Sequence, residues 1–224
     1  RWRFEDDPKH QRLFSSSDVL NFFYDPYKDR FVCTWKTHNR HHRAVGVVFS
    51  EDGLEWTKPI DGPVFGADDL DPDATQVYGM PVFPYQGCYI GLPWICHARI
   101  YKYGPYTAKR MYEAQEGSPC TVDVQMAWSW DLISWNRTPR REPFISLSQD
   151  GGLDSGQLYT ARAPVIVGDK LFFYYGGFNK LHDDVKDTRG AIFTQPLAVD
   201  FVHRSRLEQE LAFDAPPARL LDKL

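Results

Sequence analysis

One short motif constrains this chain more than any other: "SEDGLEW" at 50–56 returns in looser form as "SWDLISW" at 129–135. Each copy follows an apolar run of strand length and strand composition, "AVGVVF" (44–49) and "DVQMAW" (123–128). An Asp followed by turn-tolerant residues closes a tight turn, so each Trp opens a returning strand. The motif therefore predicts a hairpin used more than once.

Further hairpins precede these. "NFFYDPYKDRFVCTWK" (21–36), "PVFPYQGCYIGLPW" (81–94) and "APVIVGDKLFFYYGGF" (163–178) each split two apolar runs with a turn containing Asp, Gly or Pro, and "GAIFTQPL" (190–197) supplies one more strand. The pattern divides the chain into antiparallel units at roughly 18–62, 76–140 and 154–203. Repeated units of this kind, with Trp56 and Trp135 packing between neighbours, predict an all-β propeller. A β-sandwich is the rival fold and accounts for the repeat less well. Three units do not close a ring of the usual four to eight or so blades. The expectation is thus a single domain over 1–224, incomplete at its N-terminus or completed by 1–14 and 204–224.

With 224 residues, a net charge of −4 and basic residues scattered along the chain, nucleic acid is not an expected partner. No apolar run reaches the roughly 20 residues of a membrane span. The sequence opens at Arg1 with neither a signal peptide nor a transit segment, and both cytoplasmic and exported locations stay open. Cys33, Cys88, Cys96 and Cys120 lack metal-ligand spacing, and the apolar settings of three of them favour buried free thiols over a disulfide. Oligomeric state is not legible.

The innermost strand of a propeller blade lines the central channel. The predicted starts of those strands are "SSDVLN" (16–21), "TQVYGM" (75–80) and "LDSGQLY" (153–159), which bring Asp18 and Asp154 to one mouth. Asp123 opens "DVQMAWS" and Glu142 lies in "RREPF". Carboxylates converging on a funnel suit glycoside hydrolysis, in which one protonates the leaving oxygen and the other activates water or attacks the sugar. Arg43 and Arg162 are placed to pair with these acids and keep them ionised. His97 is a candidate for sugar hydroxyls, and Tyr78, Trp94 and Tyr159 for sugar faces. "THNRHHR" (37–43) reads as a solvated hairpin loop or a metal site; "GADDLDPD" (66–73) reads as an inter-blade loop or a Ca²⁺ site without the EF-hand pattern. No metal or cofactor is expected, because nucleotide fingerprints and nucleophile elbows are missing from the sequence.

From Ser16 to His203 the motifs "VYGMPVFPYQGCYIGL", "DVQMAWSWD", "REPFI", "LDSGQLYTARAPVIVGDKLFFYYGGFNKLH" and "GAIF" resemble those of bacterial glycosyl hydrolase-like five-bladed β-propeller proteins of the arabinanase, xylosidase and invertase superfamily. The resemblance implies a carbohydrate substrate and a glycosidase using Asp18, Asp123 and Asp154. It also implies a substrate contact from His182, which follows "YYGG", and a further catalytic acid in a blade upstream of Arg1. Gln76 offers an amide where an acid would strengthen that reading, which leaves a non-catalytic carbohydrate- or protein-binding propeller as the alternative.

Overall fold

The computed structural model describes residues 14, 16–39, 42–72, 75–98, 120–149, 151–182, 184 and 186–198. Every regular element among them is a strand. Parts of the sequence expectations lie outside the described residues: Arg40 and His41 of the His-rich turn, Asp73, the last residues of the third unit, and the segments offered for ring closure apart from Phe14.

Unit A is the meander β1 (Leu20–Asp25), β2 (Arg30–Asn39) and β3 (His42–Ser50), extended by bridges from Phe49 to Thr57 and from Val45 to Phe65. The strands of unit B are all broken part-way along. The first is β4 (Thr75–Gly79) plus β5 (Val82–Tyr85), the second β6 (Cys88–Gly91) plus β7 (Trp94–Ala98), and the third β8 (Cys120–Val124) plus β9 (Ala127–Ser129); β10 (Trp135–Arg137) closes the unit. The register shows that these halves are single strands: Gly79↔Trp94 continues in step into Val82↔Gly91, and Trp94↔Val124 into Gly91↔Ala127. The crease has a chemical cause. Pro81 and Pro93 have no N–H to give the ladder, yet their carbonyls accept from Leu92 N–H (2.9 Å) and Gln125 N–H (3.0 Å). Unit C consists of β11 (Gln157–Thr160), β12 (Val165–Val167), β13 (Lys170–Phe178) and β14 (Gly190–Ala198), with β11 and β12 lying along one edge of β13 and β14 along the other.

Unit B is the filling between A and C. One face of it packs Val77, Ile95 and Ala127 against Val45, Val47 and Phe65 of unit A; the other packs Ile90, Leu92 and Val124 against Leu158, Leu171 and Phe173 of unit C. Alternation along each strand sends successive side chains to these two interfaces.

Both Ser-x-Asp-x-x-x-Trp copies build one turn. Ser50 Oγ accepts from Gly53 N–H (2.8 Å) and Asp52 Oδ1 from the N–H groups of Leu54 (2.8 Å) and Glu55 (2.9 Å), while Trp56 Nε1 donates to the Gly53 carbonyl (3.0 Å). Ser129, Asp131 and Trp135 repeat this wiring, with Asp131 accepting from Ile133 (2.8 Å) and Ser134 (2.7 Å). The motif thus spends its polar atoms on the turn and its indole on packing. Trp135 lies between Phe65 of unit A, 6.2 Å away edge-on, and Gly91, where even a Cβ would meet the indole at 2.9 Å. Trp56 instead joins Phe14, Phe22 and Trp35 on the outward face of unit A.

One expectation is corrected. Cys96 and Cys120 form a disulfide: β7 and β8 pair antiparallel, so residues 24 apart in sequence become diagonal neighbours with Cα atoms 5.9 Å apart. Cys33 and Cys88 are the buried free thiols, and burial pushes the Cys33 thiol up to about 12. The acidic segment "GADDLDPD" is held by arginines. Arg137 makes a bidentate pair with Asp71 (2.6 and 2.8 Å), both side chains almost wholly buried, and also reaches Gln125 (2.8 Å), while Arg141 pairs with Asp68. Those carboxylates are engaged in joining unit A's exit to unit B.

Candidate functional site at the mouth of the strands

The start of β4, the end of β7, the start of β8 and the start of β11 lie at one end of the paired units, because antiparallel register aligns Thr75 with His97 and His97 with Thr121, and a parallel pairing of β8 with β11 aligns Val122 with Gln157. The ladder between β4 and β7 slips once, between Val77 and Gly79, which leaves Tyr78 as a bulged residue. A bulge releases a side chain from strict face alternation. Tyr78 uses that freedom to touch all three units: Lys36 Nζ stands 4.4 Å and the Arg43 guanidinium 5.3 Å from its ring centre, His182 meets it edge-on at 4.7 Å, and Tyr159 lies 5.8 Å away.

Asp18, exposed at the approach to β1, is ion-paired with Lys36. The Lys36 ammonium beside it holds the Asp18 carboxyl down at about 2, so Asp18 is ionised at any physiological pH. Lys36 itself is buried, on the face of β2 that carries Val32 and Thr34 toward unit B. The expected partnership of Asp18 with Arg43 or Arg162 is therefore replaced by one with Lys36; Arg43 lies over the Tyr78 ring and makes no ion pair among the described residues. Arg43 and Lys36 also disfavour charge on His38, whose pKa is lowered first by burial and then by these two cations.

His97 and Asp123 meet on the neighbouring strands β7 and β8, Nε2 to Oδ2 at 2.8 Å. Asp123, together with burial working against it, raises the His97 pKa above 6.5 through that hydrogen bond. The second Asp123 oxygen, Oδ1, is buried with no hydrogen-bond partner among the described residues, and so are Thr75 Oγ1 and Gln76 Oε1 on β4. Leaving such an oxygen unsatisfied costs about 1–3 kcal/mol, which marks the Asp123 carboxylate as a place for ligand or water hydrogens.

Trp94 and Tyr159 stand edge to face at 5.1 Å, and Trp94 Nε1 donates to Thr160 Oγ1 (3.0 Å), so both rings are fixed rather than free to swing. Asp154 lies elsewhere in the local packing. Its carboxylate accepts from the Tyr175 hydroxyl (3.2 Å), and its Cβ rides directly over Gly177, where an added Cβ would come within 2.4 Å. Arg162 departs furthest from expectation. It falls in the gap between β11 and β12, facing Tyr24, Phe83 and Tyr85 at the far ends of β1 and β5, because the first strand of unit C breaks at Ala161–Pro164. Of the residues singled out from sequence, Asp18, Arg43, Tyr78 and His182 thus converge; His97 and Asp123 form a second pair; Asp154 packs; Arg162 is remote. Lys36 escaped the sequence reading, although alternation with Val32 and Thr34 carried the signal. Among the described residues no three His, Cys, Asp or Glu side chains gather as a metal site.

Comparison with solved structures places this architecture. A glycoside hydrolase aligns at 17% identity over 80% of this chain and 46% of its own, with a TM-score of 0.55. The fold is that of propeller-type glycoside hydrolase structures. A family 117 glycoside hydrolase from Zobellia galactanivorans aligns at 10% identity over 80% of this chain and 51% of its own, TM-score 0.52. An N-acetylgalactosamine deacetylase from F. plautii, solved with blood group B trisaccharide, aligns at 16% identity over 88% and 52%, TM-score 0.57. The chain spans about half the length of these proteins. No family model matches the sequence, and no curated protein matches it.

Proposed function

We propose that this chain belongs to a glycoside hydrolase that cleaves an oligo- or polysaccharide at the Tyr78 end of the strands, in a five-bladed ring of which units A, B and C are three blades. The observation that carries the proposal is Asp123: one oxygen is held by His97 at 2.8 Å and the other is buried without a partner among the described residues. An oriented carboxylate with an unused oxygen can take a proton from water or meet the anomeric carbon directly. Asp18, kept ionised by Lys36, favours the positive charge that develops on the sugar ring. Tyr78 supplies a face for the sugar, and Arg43 and His182 flank it with donors for hydroxyls. Asp154, the acid most favoured by its sequence setting, fits a packing role better, since Tyr175 and Gly177 already occupy its carboxylate and its Cβ.

A second reading is a sugar-binding propeller without turnover. It is favoured by the amide at Gln76 in the first strand of unit B. Titration with oligosaccharides, reading bound ligand and released reducing ends together, separates the two. Turnover that falls by about a thousandfold in Asp123→Asn, with Asp154→Asn nearly unchanged, supports hydrolysis at Asp123. Binding without product leaves the second reading; neither binding nor product refutes both.

A further inference from the structure

The displaced Arg162 opens onto a cavity of about 330 Å³ bounded by all three units, at the opposite end of β1 and β5 from Tyr78. That volume lies at the lower end of the range for small-molecule sites, about the size of a single sugar ring. Its walls are stiff. Pro26, Pro84 and Pro164 contribute one from each unit, and their fixed backbone leaves little to order when a ligand enters. Tyr24 offers a half-exposed ring whose orientation is set at both ends, the hydroxyl donating to Asp29 and the ring edge packing on Phe31 at 5.7 Å. Phe83 and Tyr85, both buried, close the floor. Arg162 is the one charged residue in this lining, is exposed, and makes no ion pair among the described residues.

A flat aromatic platform beside an uncommitted guanidinium recognises a ring compound that pairs an apolar face with a carboxylate, since the guanidinium fork matches the two carboxylate oxygens. We infer that this cavity is a binding site for a uronic acid residue, with the sugar face on Tyr24 and the C6 carboxylate on Arg162. The inference rests on the cavity and holds whether or not the Tyr78 end hydrolyses its ligand.

The test uses the full chain with free galacturonate and glucuronate, their neutral counterparts galactose and glucose, and benzoate as an acid without a sugar ring. Saturation-transfer NMR titrations at low salt give each dissociation constant. Uronates are expected to bind, with affinity falling about tenfold or more in Arg162→Gln and in Tyr24→Leu, and neutral sugars are expected to bind at least that much more weakly. Both positions are exposed, and unchanged melting temperatures establish that the variants are folded. Uronate affinity that is unchanged in Arg162→Gln, equal for galactose, matched by benzoate, or undetectable in the wild type overturns the assignment. Oligosaccharide turnover, measured in the same samples, is expected to be the same in Arg162→Gln and wild type, so a failure here is separable from a failure at Asp123.

Discussion

Removing Asp71 from the Arg137 clasp is a sharp test of how unit A is joined to unit B. Asp71→Asn keeps the shape of the side chain and deletes its charge, leaving Arg137, only 4% exposed, without a counter-ion. Breaking a buried pair by neutralising one partner costs about 3–5 kcal/mol, and because Asn still accepts one hydrogen bond the lower figure applies here. At about 2–4 °C per kcal/mol for a domain of this size, about 3 kcal/mol lowers the melting temperature by roughly 6–12 °C. Replacing both partners with apolar residues, Asp71→Leu with Arg137→Met, is expected to recover most of the loss, since the penalty comes from the stranded charge. Differential scanning calorimetry on the wild type, both single variants and the double variant closes the cycle. An Asp71→Asn change under about 0.5 kcal/mol would show that the clasp contributes nothing net. Because the same carboxylates are engaged by arginine, added Ca²⁺ is expected to leave the wild-type melting temperature unmoved; a rise of several degrees would restore the acidic segment as a cation site and refute the clasp.

Two further outcomes follow from the mouth of unit B. The Cys96–Cys120 bridge closes a loop of 24 residues, so Cys96→Ser with Cys120→Ser is expected to cost about 3 kcal/mol, read as a lower denaturation midpoint that reductant no longer shifts; equal midpoints for wild type and variant under non-reducing conditions would contradict this. The His97 ring is expected to titrate above 6.5 by NMR, and to drop when Asp123→Asn removes the charge that holds its proton. Since its folded pKa is raised, the stabilisation is complete below 6.5 and fades as pH climbs through the folded midpoint, so the stability gap between wild type and Asp123→Asn should narrow with rising pH.

The turns and the hairpins were legible because their signals are local: Ser50, Asp52 and Trp56 wire a turn within seven residues, and any chain carrying the same spacing at 129–135 repeats it. Asp18 and Tyr78 were placed at one mouth as side chains near predicted strand starts, whereas His182 came only from the family resemblance. What the sequence hides is the one-residue slip at Tyr78, which depends on how β4 meets β7 and has no signature within β4 alone. The disulfide was missed for a related reason, since only the pairing of β7 with β8 brings Cys96 to Cys120. Arg162 was misplaced because it follows closely on the predicted inner strand "LDSGQLY", whereas Pro164 and the register change between β11 and β12 turn its side chain to another cavity.

The crease across unit B carries a consequence for how this protein can change over time. Side chains in a strand alternate, so adding or losing one residue inverts the phase of everything beyond the change. The crease separates a half that presents Tyr78, His97 and Asp123 from a half that presents Phe83, Ile90 and Trp128 to the core, and the register runs in step across the crease itself on three strands at once, the Tyr78 bulge lying on the mouth side of it. Substitutions at Pro81 or Pro93 alter how sharply the sheet bends, whereas those at Met80, Leu92 or Met126 also disturb the core and one at Gln125 disturbs its bond to Arg137. An insertion at the crease in one strand demands compensation in the other two, or the mouth and the core can no longer both face their own partners. Lineages of this fold should therefore exchange residues of like volume along this line and scarcely change in length.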